Sequence, residues 1–274
     1  VLLSDCTFGQ IDFINCLPIT RILQRDKPER LGLVMGTPGA LNQKYRQGTL
    51  DLGAMSSHYF LEDGNFELFP DISISAQGPV GSVLYFGRKK LSQLSGLNRR
   101  LKISVPQASA SSVRLLHILL CECYGLEADF IPVQNPEADI ESDGFLLFGD
   151  LALTTDRDLA ASGAINGLER LDMAQWWFEN YRLPMVFGVW AARKSWIAEH
   201  GEDFANISTF LAASWGKGLT QDLPAVIAEA AERTDLSFER LQQYYLKELD
   251  FSFGARHAEG LELYRKLCKK HDLL

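Results

Sequence analysis

The strongest constraint on this chain is a segment near its N-terminus, Gly9-Gln10-Ile11-Asp12-Phe13-Ile14-Asn15-Cys16-Leu17-Pro18. Apolar residues alternate in it with the period of a strand, the pattern breaks at Asn15, and a helix restarts with Pro18 in its first turn. A polar side chain between a buried strand and a helix start stands where open α/β sheets place their ligands. Three later segments repeat the order strand, polar turn, helix. Their turns are expected to converge on one cleft that holds a small anion.

The chain in order supports an α/β reading. A strand over 8–14 is followed by a helix over 18–25 and a second strand over 31–34. Thr37-Pro38 then gives an N-cap and a first-turn proline for a helix that stops at Gly48. A third strand over 51–55 ends in Ser56-Ser57, and this β-α-β-α-β order implies parallel strands with right-handed crossovers. Residues 66–75 are partly extended and lead through Gly78-Pro79-Val80-Gly81-Ser82 into a strand over 83–86. Composition changes at the basic, polar stretch 88–100, which places a domain crossing near Gly87.

A second α/β unit follows, with a strand over 101–105, a Ser-rich turn over 106–112 and a helix to about Tyr124. A short strand is expected over 130–133 and a longer one over 144–153, the latter interrupted by Gly149-Asp150. Leu183 to Trp190 is an apolar strand long enough to return to the first unit, and the pattern from Ser195 onward is helical. The expected organisation is therefore residues 1–87 and 184–274 in one lobe and 88–183 in the other. Two α/β lobes joined by two crossing strands, with a central ligand cleft, describe the type II periplasmic-binding-protein-like fold.

Composition narrows the function classes. With 274 residues, 46% of them hydrophobic, the chain can bury a substantial core. A net charge of −8 argues against a general nucleic-acid or anionic-membrane surface, although a local nest of donors can still bind an anion. No apolar run approaches the roughly 20 residues needed to span a bilayer. Cys6, Cys16, Cys121, Cys123 and Cys268 are odd in number and lack paired ligand spacing. With no leader-like opening, they suggest a reduced, cytoplasmic protein. Phosphate-loop, dinucleotide, zinc-protease and nucleophile-elbow motifs are absent, so neither a metal site nor a cofactor is expected.

The candidate site residues are polar groups at element ends, and each has a bland alternative. Asn15 either bonds its own backbone or faces a ligand. Of Ser56 and Ser57, period-two alternation lets only one face the cleft, and Ser57 is taken as that one. Ser82 is either part of an ordinary tight turn or a hydroxyl brought close to a ligand by the glycines before it. Ser109, Ser111 and Ser112 are more hydroxyls than one helix cap requires, and with a helix N-terminus they suit a carboxylate. Asp150 has capping, backbone binding at the domain face and chemistry all open to it, structural use leading. His58, beside Ser57, is not taken as a base, and Trp176-Trp177-Phe178 reads as packing.

Taken together and in order, these motifs resemble the menaquinone biosynthetic family of the futalosine pathway, specifically its chorismate dehydratase branch. The resemblance rests on G-x-I-x-F-x-N-x-L-P at Gly9 to Pro18, Thr37-Pro38 with Leu41-Asn42, and Leu50-Asp51 to Ser56-Ser57. It continues through Ile72-Ser73-Ile74-Ser75, Gly78, Val80, Ser82-Val83, Ser109 to Ser112, and Gly149-Asp150-Leu151-Ala152-Leu153. It ends with Leu183-Pro184 to Arg193, Tyr245-Leu246 and Gly260-Leu261. The family often has a glycine before the returning Leu-Pro, where this chain has Tyr181-Arg182. The resemblance implies cofactor-free dehydration of chorismate, a small dicarboxylate, to 3-[(1-carboxyvinyl)oxy]benzoate. Asn15 and Ser82 would be catalytic, with Thr37, Ser57, Ser109, Ser111, Ser112 and Asp150 binding the substrate. Two other readings stand beside it, a solute-binding protein for a small anion and the sister 1,4-dihydroxy-6-naphthoate synthase. The latter's opening Ser-Pro-Cys-Pro-Asn-Asp-Thr run is missing here.

Overall fold

The structure, a computed structural model, describes residues 6–94, 96–106 and 111–274. Its first half begins with β1 (Cys6–Ile11), α1 (Leu17–Asp26), β2 (Leu31–Gly36), α2 (Pro38–Arg46), β3 (Leu52–Ser56), α3 (Ser57–Asp63) and β4 (Phe66–Ala76). Next come β5 (Val83–Gly87), β6 (Leu101–Val105), α4 (Ser111–Leu119), β7 (Ala128–Pro132), β8 (Gly144–Phe148), α5 (Asp150–Ser162), β9 (Glu169–Asp172) and α6 (Met173–Tyr181). The chain closes with β10 (Met185–Arg193), α7 (Lys194–Glu199), α8 (Gly201–Thr220), α9 (Leu223–Thr234), α10 (Phe238–Gln243) and α11 (Ala255–Lys270).

Among the described residues two five-stranded sheets form, in the orders β2-β1-β3-β10-β4 and β7-β6-β8-β5-β9. In the first, β1 runs parallel to β2 and β3, while β10 inserts antiparallel between β3 and β4. In the second, β6 is parallel to β7 and β8, and β5 is antiparallel to β8 and β9. The returning β10 is buried on both sides because it is a central strand, which its apolar run anticipates. A buried relay ties it to β1: Trp190 Nε1 donates to Gln10 Oε1 (3.0 Å), and Gln10 Nε2 donates to Thr20 Oγ1 (3.0 Å). Among the described residues no helix is long and apolar enough to cross a membrane.

Three sequence expectations change. The crossing lies before β5, not near Gly87: Val83–Gly87 pairs with β8 and β9, so the chain passes between sheets over 77–82. The composition shift at Arg88 marks only the solvent-exposed loop after that strand. The apolar run over 144–153 is two elements, because Gly149 at φ 63° turns the chain and Asp150 opens a helix. The edge strand β9 and helix α6 escape the sequence reading altogether. An edge strand of Glu-Arg-Leu-Asp has no alternation to detect, and its last residue is already the N-cap of the next helix.

Both passages between the sheets are pinned by identifiable groups. Asp172 Oδ2 accepts from the backbone N–H of Val80 (3.0 Å) and Gly81 (2.7 Å), while Oδ1 caps α6 at Ala174 and Gln175. At the return, Arg182 holds the left-handed conformation (φ 56°) that ends α6. This is the backbone state that favours glycine, and the arginine occupies it with its guanidinium over the Phe178 ring. The paired serines of Ile72-Ser73-Ile74-Ser75 extend the first sheet, since the Ser73 and Ser75 N–H groups donate to Phe251 and Asp250 carbonyls (both 2.9 Å).

Candidate functional site

The turns after β1, β3 and β8 and the start of α4 meet around a cavity between the sheets. Its apolar walls include Phe13, Ile74, Phe148, Phe187 and Leu249. Asn15, Ser56, Ser82, Ser111 and Ser112 supply its polar lining, and among the described residues no charged side chain lines it. Neutral dipoles of this kind can hold a polar ligand, and their strength grows as water is excluded.

Asn15 lies in a single 3₁₀ turn, Ile14–Cys16, between β1 and α1. The turn is fixed from two sides: the Ile14 N–H donates to Asp150 Oδ1 (3.0 Å) and the Tyr245 hydroxyl donates to the Ile14 carbonyl (2.7 Å). Asn15 Oδ1 is nonetheless buried without a hydrogen-bond partner. Ser82, at the start of β5 and 3 % exposed, faces the same cavity, and the buried Tyr244 hydroxyl nearby has no well-formed partner. A buried polar atom without a partner costs folding free energy, so these groups point to a ligand that completes them.

The serine pair after β3 is placed the other way round from expectation. Ser56 lines the cavity, and its Oγ accepts from Asn42 Nδ2 (3.1 Å) and, as N-cap of α3, from the Tyr59 N–H (3.2 Å). With its oxygen engaged twice, its own hydroxyl hydrogen remains to be donated into the cavity. Ser57 points away, donating to the Val186 carbonyl of β10 (2.7 Å) and lying 3.1 Å from Ser111 Oγ. Alternation could show that only one serine faces the cleft but not which, because the helix begins at Ser57 and ends the strand period.

Ser111 and Ser112 both line the cavity, and Ser109 lies outside the described residues. Ser111 Oγ also accepts from the His58 N–H (3.1 Å), so it links α3 of one sheet to α4 of the other. Thr37 does not join them: its exposed side chain caps α2 by accepting from the Ala40 N–H (3.3 Å), and Pro38 takes the place on the cavity wall. His58 is buried and neutral, because desolvation and, next, the nearby Arg114 push its pKa down to about 4. The aromatic walls at Phe13, Phe148 and Phe187 carry no sequence signal, since each sits in an apolar run that reads as core.

The sequence model of the menaquinone biosynthesis family matches residues 6–270. The chain belongs to that family. A curated family relative, the chorismate dehydratase of Thermus thermophilus, is 29% identical over 66% of this chain and 68% of its own. Among solved structures, an Archaeoglobus fulgidus protein superposes with a TM-score of 0.73, covering 98% of both chains at 17% identity. The alkanesulfonate-binding protein SsuA of Xanthomonas axonopodis pv. citri, bound to MOPS, gives 0.68 at 12% identity over 100% of this chain and 96% of its own. At these identities the likeness concerns the fold, which is that of the periplasmic-binding-protein-like proteins.

Asp150 does not line the cavity but braces the Asn15 turn from the opposite lobe, and burial pushes its pKa up to about 6. A carboxyl group raised in the folded state binds its proton there at a higher pH than in the unfolded chain. Folding is therefore favoured as pH falls through 6 towards 4, and the ionised group opposes folding at neutral pH. Asp150→Asn keeps an acceptor for the Ile14 N–H and removes the titration. Urea unfolding at pH 5 to 8 should show the variant gaining on the parent as pH rises, by up to about 2 kcal/mol, with the gap flattening above pH 7. A gap independent of pH would rule out this assignment.

Proposed function

We propose that this member of the menaquinone biosynthesis family dehydrates chorismate to 3-[(1-carboxyvinyl)oxy]benzoate, with the cavity between the sheets as the active site. The observation that carries the reading is the cavity's neutral lining: amide and hydroxyl groups at Asn15, Ser56, Ser82, Ser111 and Ser112, set in aromatic walls with no charged side chain among the described residues. The named Thermus relative and the family match support it.

The substrate's chemistry suits such a site. The ring hydrogen beside the enol-ether oxygen is acidified by conjugation through a double bond to the ring carboxylate. When it leaves as a proton, the electron pair moves towards that carboxylate. Expulsion of the neighbouring hydroxyl, which takes up a proton to leave as water, then makes the ring aromatic. Negative charge grows on the ring carboxylate, where preorganised hydroxyl and N–H donors stabilise it without reorganising. The enolpyruvyl carboxylate of the substrate itself takes the ring proton, held in reach by the cavity. Asn15 and Ser82 orient it or assist the leaving hydroxyl, while Ser111 and Ser112 grip the ring carboxylate.

The test is incubation of the purified chain with chorismate alone, followed by mass and ultraviolet spectra. Loss of one water with appearance of an aromatic enol ether is the expected result. Chorismate recovered unchanged from a saturated complex would overturn the dehydratase reading in favour of a binding protein.

A further inference from the structure

Away from the cleft, the fold gathers three side chains, two from one helical segment and the third from the far end of the chain. His117 lies in α4, Cys121 in the π-turn (Leu120–Tyr124) that continues it, and His271 just beyond α11. One donor atom from each lies within 4.8 Å of the other two, and all three residues are half-buried. His117 and Cys121 are four residues apart, the spacing that puts two donors on one helix face. Tetrahedral zinc at its usual bond lengths needs donors about 3.3–3.8 Å apart, so side-chain rotations of about an ångström close the set.

His271 Nε2 is hydrogen-bonded to Glu122 Oε1, which Lys270 Nζ also contacts at 2.7 Å. A carboxylate on one ring nitrogen is the arrangement that fixes the tautomer of a metal-binding imidazole. Two imidazoles and one thiolate form a borderline-soft set that suits zinc and leaves a fourth position for water.

We propose that His117, Cys121 and His271 form a site for a divalent transition-metal cation, zinc being the best match, oriented through Glu122. The site would act as a clamp. Helix α4 begins at Ser111 and Ser112 on the cavity, whereas α11 packs on β10 of the first sheet and donates from the Tyr264 hydroxyl to the Ser111 carbonyl (3.1 Å). A cation joining their far ends holds the helix that presents the cavity serines against the opposite lobe. Without a cation the same groups make an ordinary polar cluster, with His117 against Phe130 and His271.

The test uses the full chain, reduced and freed of metal by a chelator, titrated with Co²⁺ and then Zn²⁺. One Co²⁺ per chain should bind with a thiolate-to-cobalt charge-transfer absorption that one equivalent of Zn²⁺ bleaches. Excess Zn²⁺ should protect Cys121 from iodoacetamide in peptide mass mapping and raise the thermal midpoint by roughly 5 °C at a hundredfold excess over Kd. Cys121→Ser should abolish the absorption, Glu122→Gln weaken binding roughly tenfold, and His117→Ala or His271→Ala at least as much. Cys123→Ser, two residues away and exposed, should change nothing. No absorption in the parent chain, Cys121 alkylated at the same rate with and without Zn²⁺, or an absorption that survives Cys121→Ser would each overturn the site.

Discussion

Replacing Asn15 with alanine is expected to lower kcat/KM for chorismate dehydration by at least about a hundredfold, the effect of losing one preorganised donor at a developing charge. The loss should fall mainly on kcat, because an interaction that strengthens in the transition state is what the site supplies. Stability should hold. The Asn15 carboxamide has a buried oxygen without a partner, so its removal deletes an unsatisfied group and no hydrogen bond. The backbone of the turn keeps both braces, since Asp150 and Tyr245 bind Ile14 and not the asparagine side chain. Asn15→Asp should lose as much by placing a second anion beside the substrate's carboxylates. An Asn15→Ala enzyme within about threefold of the parent would remove Asn15 from the chemistry and turn attention to Ser56 and Ser82. The threefold margin lies well below the loss of even one transition-state hydrogen bond.

Polar residues at the ends of apolar runs anticipated much of the cavity's polar lining. Asn15, Ser111 and Ser112 stand where a strand has just ended or a helix starts, Ser82 stands just before β5, and all four line the cavity. What stayed hidden has physical reasons. Ser56 and Ser57 are adjacent, and the choice between them depends on where the strand period gives way to the helix period. Thr37 has the same strand-to-helix position as the others, but capping already satisfies its hydroxyl. Phe13, Phe148 and Phe187 are indistinguishable from core aromatics until two sheets face each other. The parallel order of β1, β2 and β3 followed from the alternation of elements, whereas β5 in the second sheet did not. A strand's own sequence does not say which of two sheets it joins. His271 meets His117 only through the packing of α11 on α4, a contact with no local signature.

Substituting Gly53 with alanine should abolish the fold or cost more than about 4 kcal/mol, the exceptional end of single-residue effects. Gly53 of β3 pairs in register with Gly9 of β1 at φ 134°. A Cβ at Gly53 would stand 2.1 Å from the Gly9 carbonyl oxygen and 2.5 Å from its nitrogen. Backbone on the neighbouring central strand cannot rotate away, so the sheet itself would have to open. The two glycines make room for Tyr45, fully buried, whose hydroxyl donates to the Ala54 carbonyl (3.1 Å) and covers both. This accounts for the glycine that opens the Gly9-to-Pro18 segment on steric grounds alone. The two positions should respond differently to a second change. A Cβ at Gly9 meets the Tyr45 hydroxyl at 2.5 Å and no backbone as close, so Tyr45→Phe should restore much of the stability of Gly9→Ala. The same change should leave Gly53→Ala unrescued. Gly48→Ala, left-handed but with nothing within 4 Å, should cost only about 1 kcal/mol and serves as the control for backbone strain without a clash. Thermal midpoints of these five variants decide the matter: if Gly53→Ala unfolds within a few degrees of Gly48→Ala, the glycine pair does not set the spacing of β1 and β3.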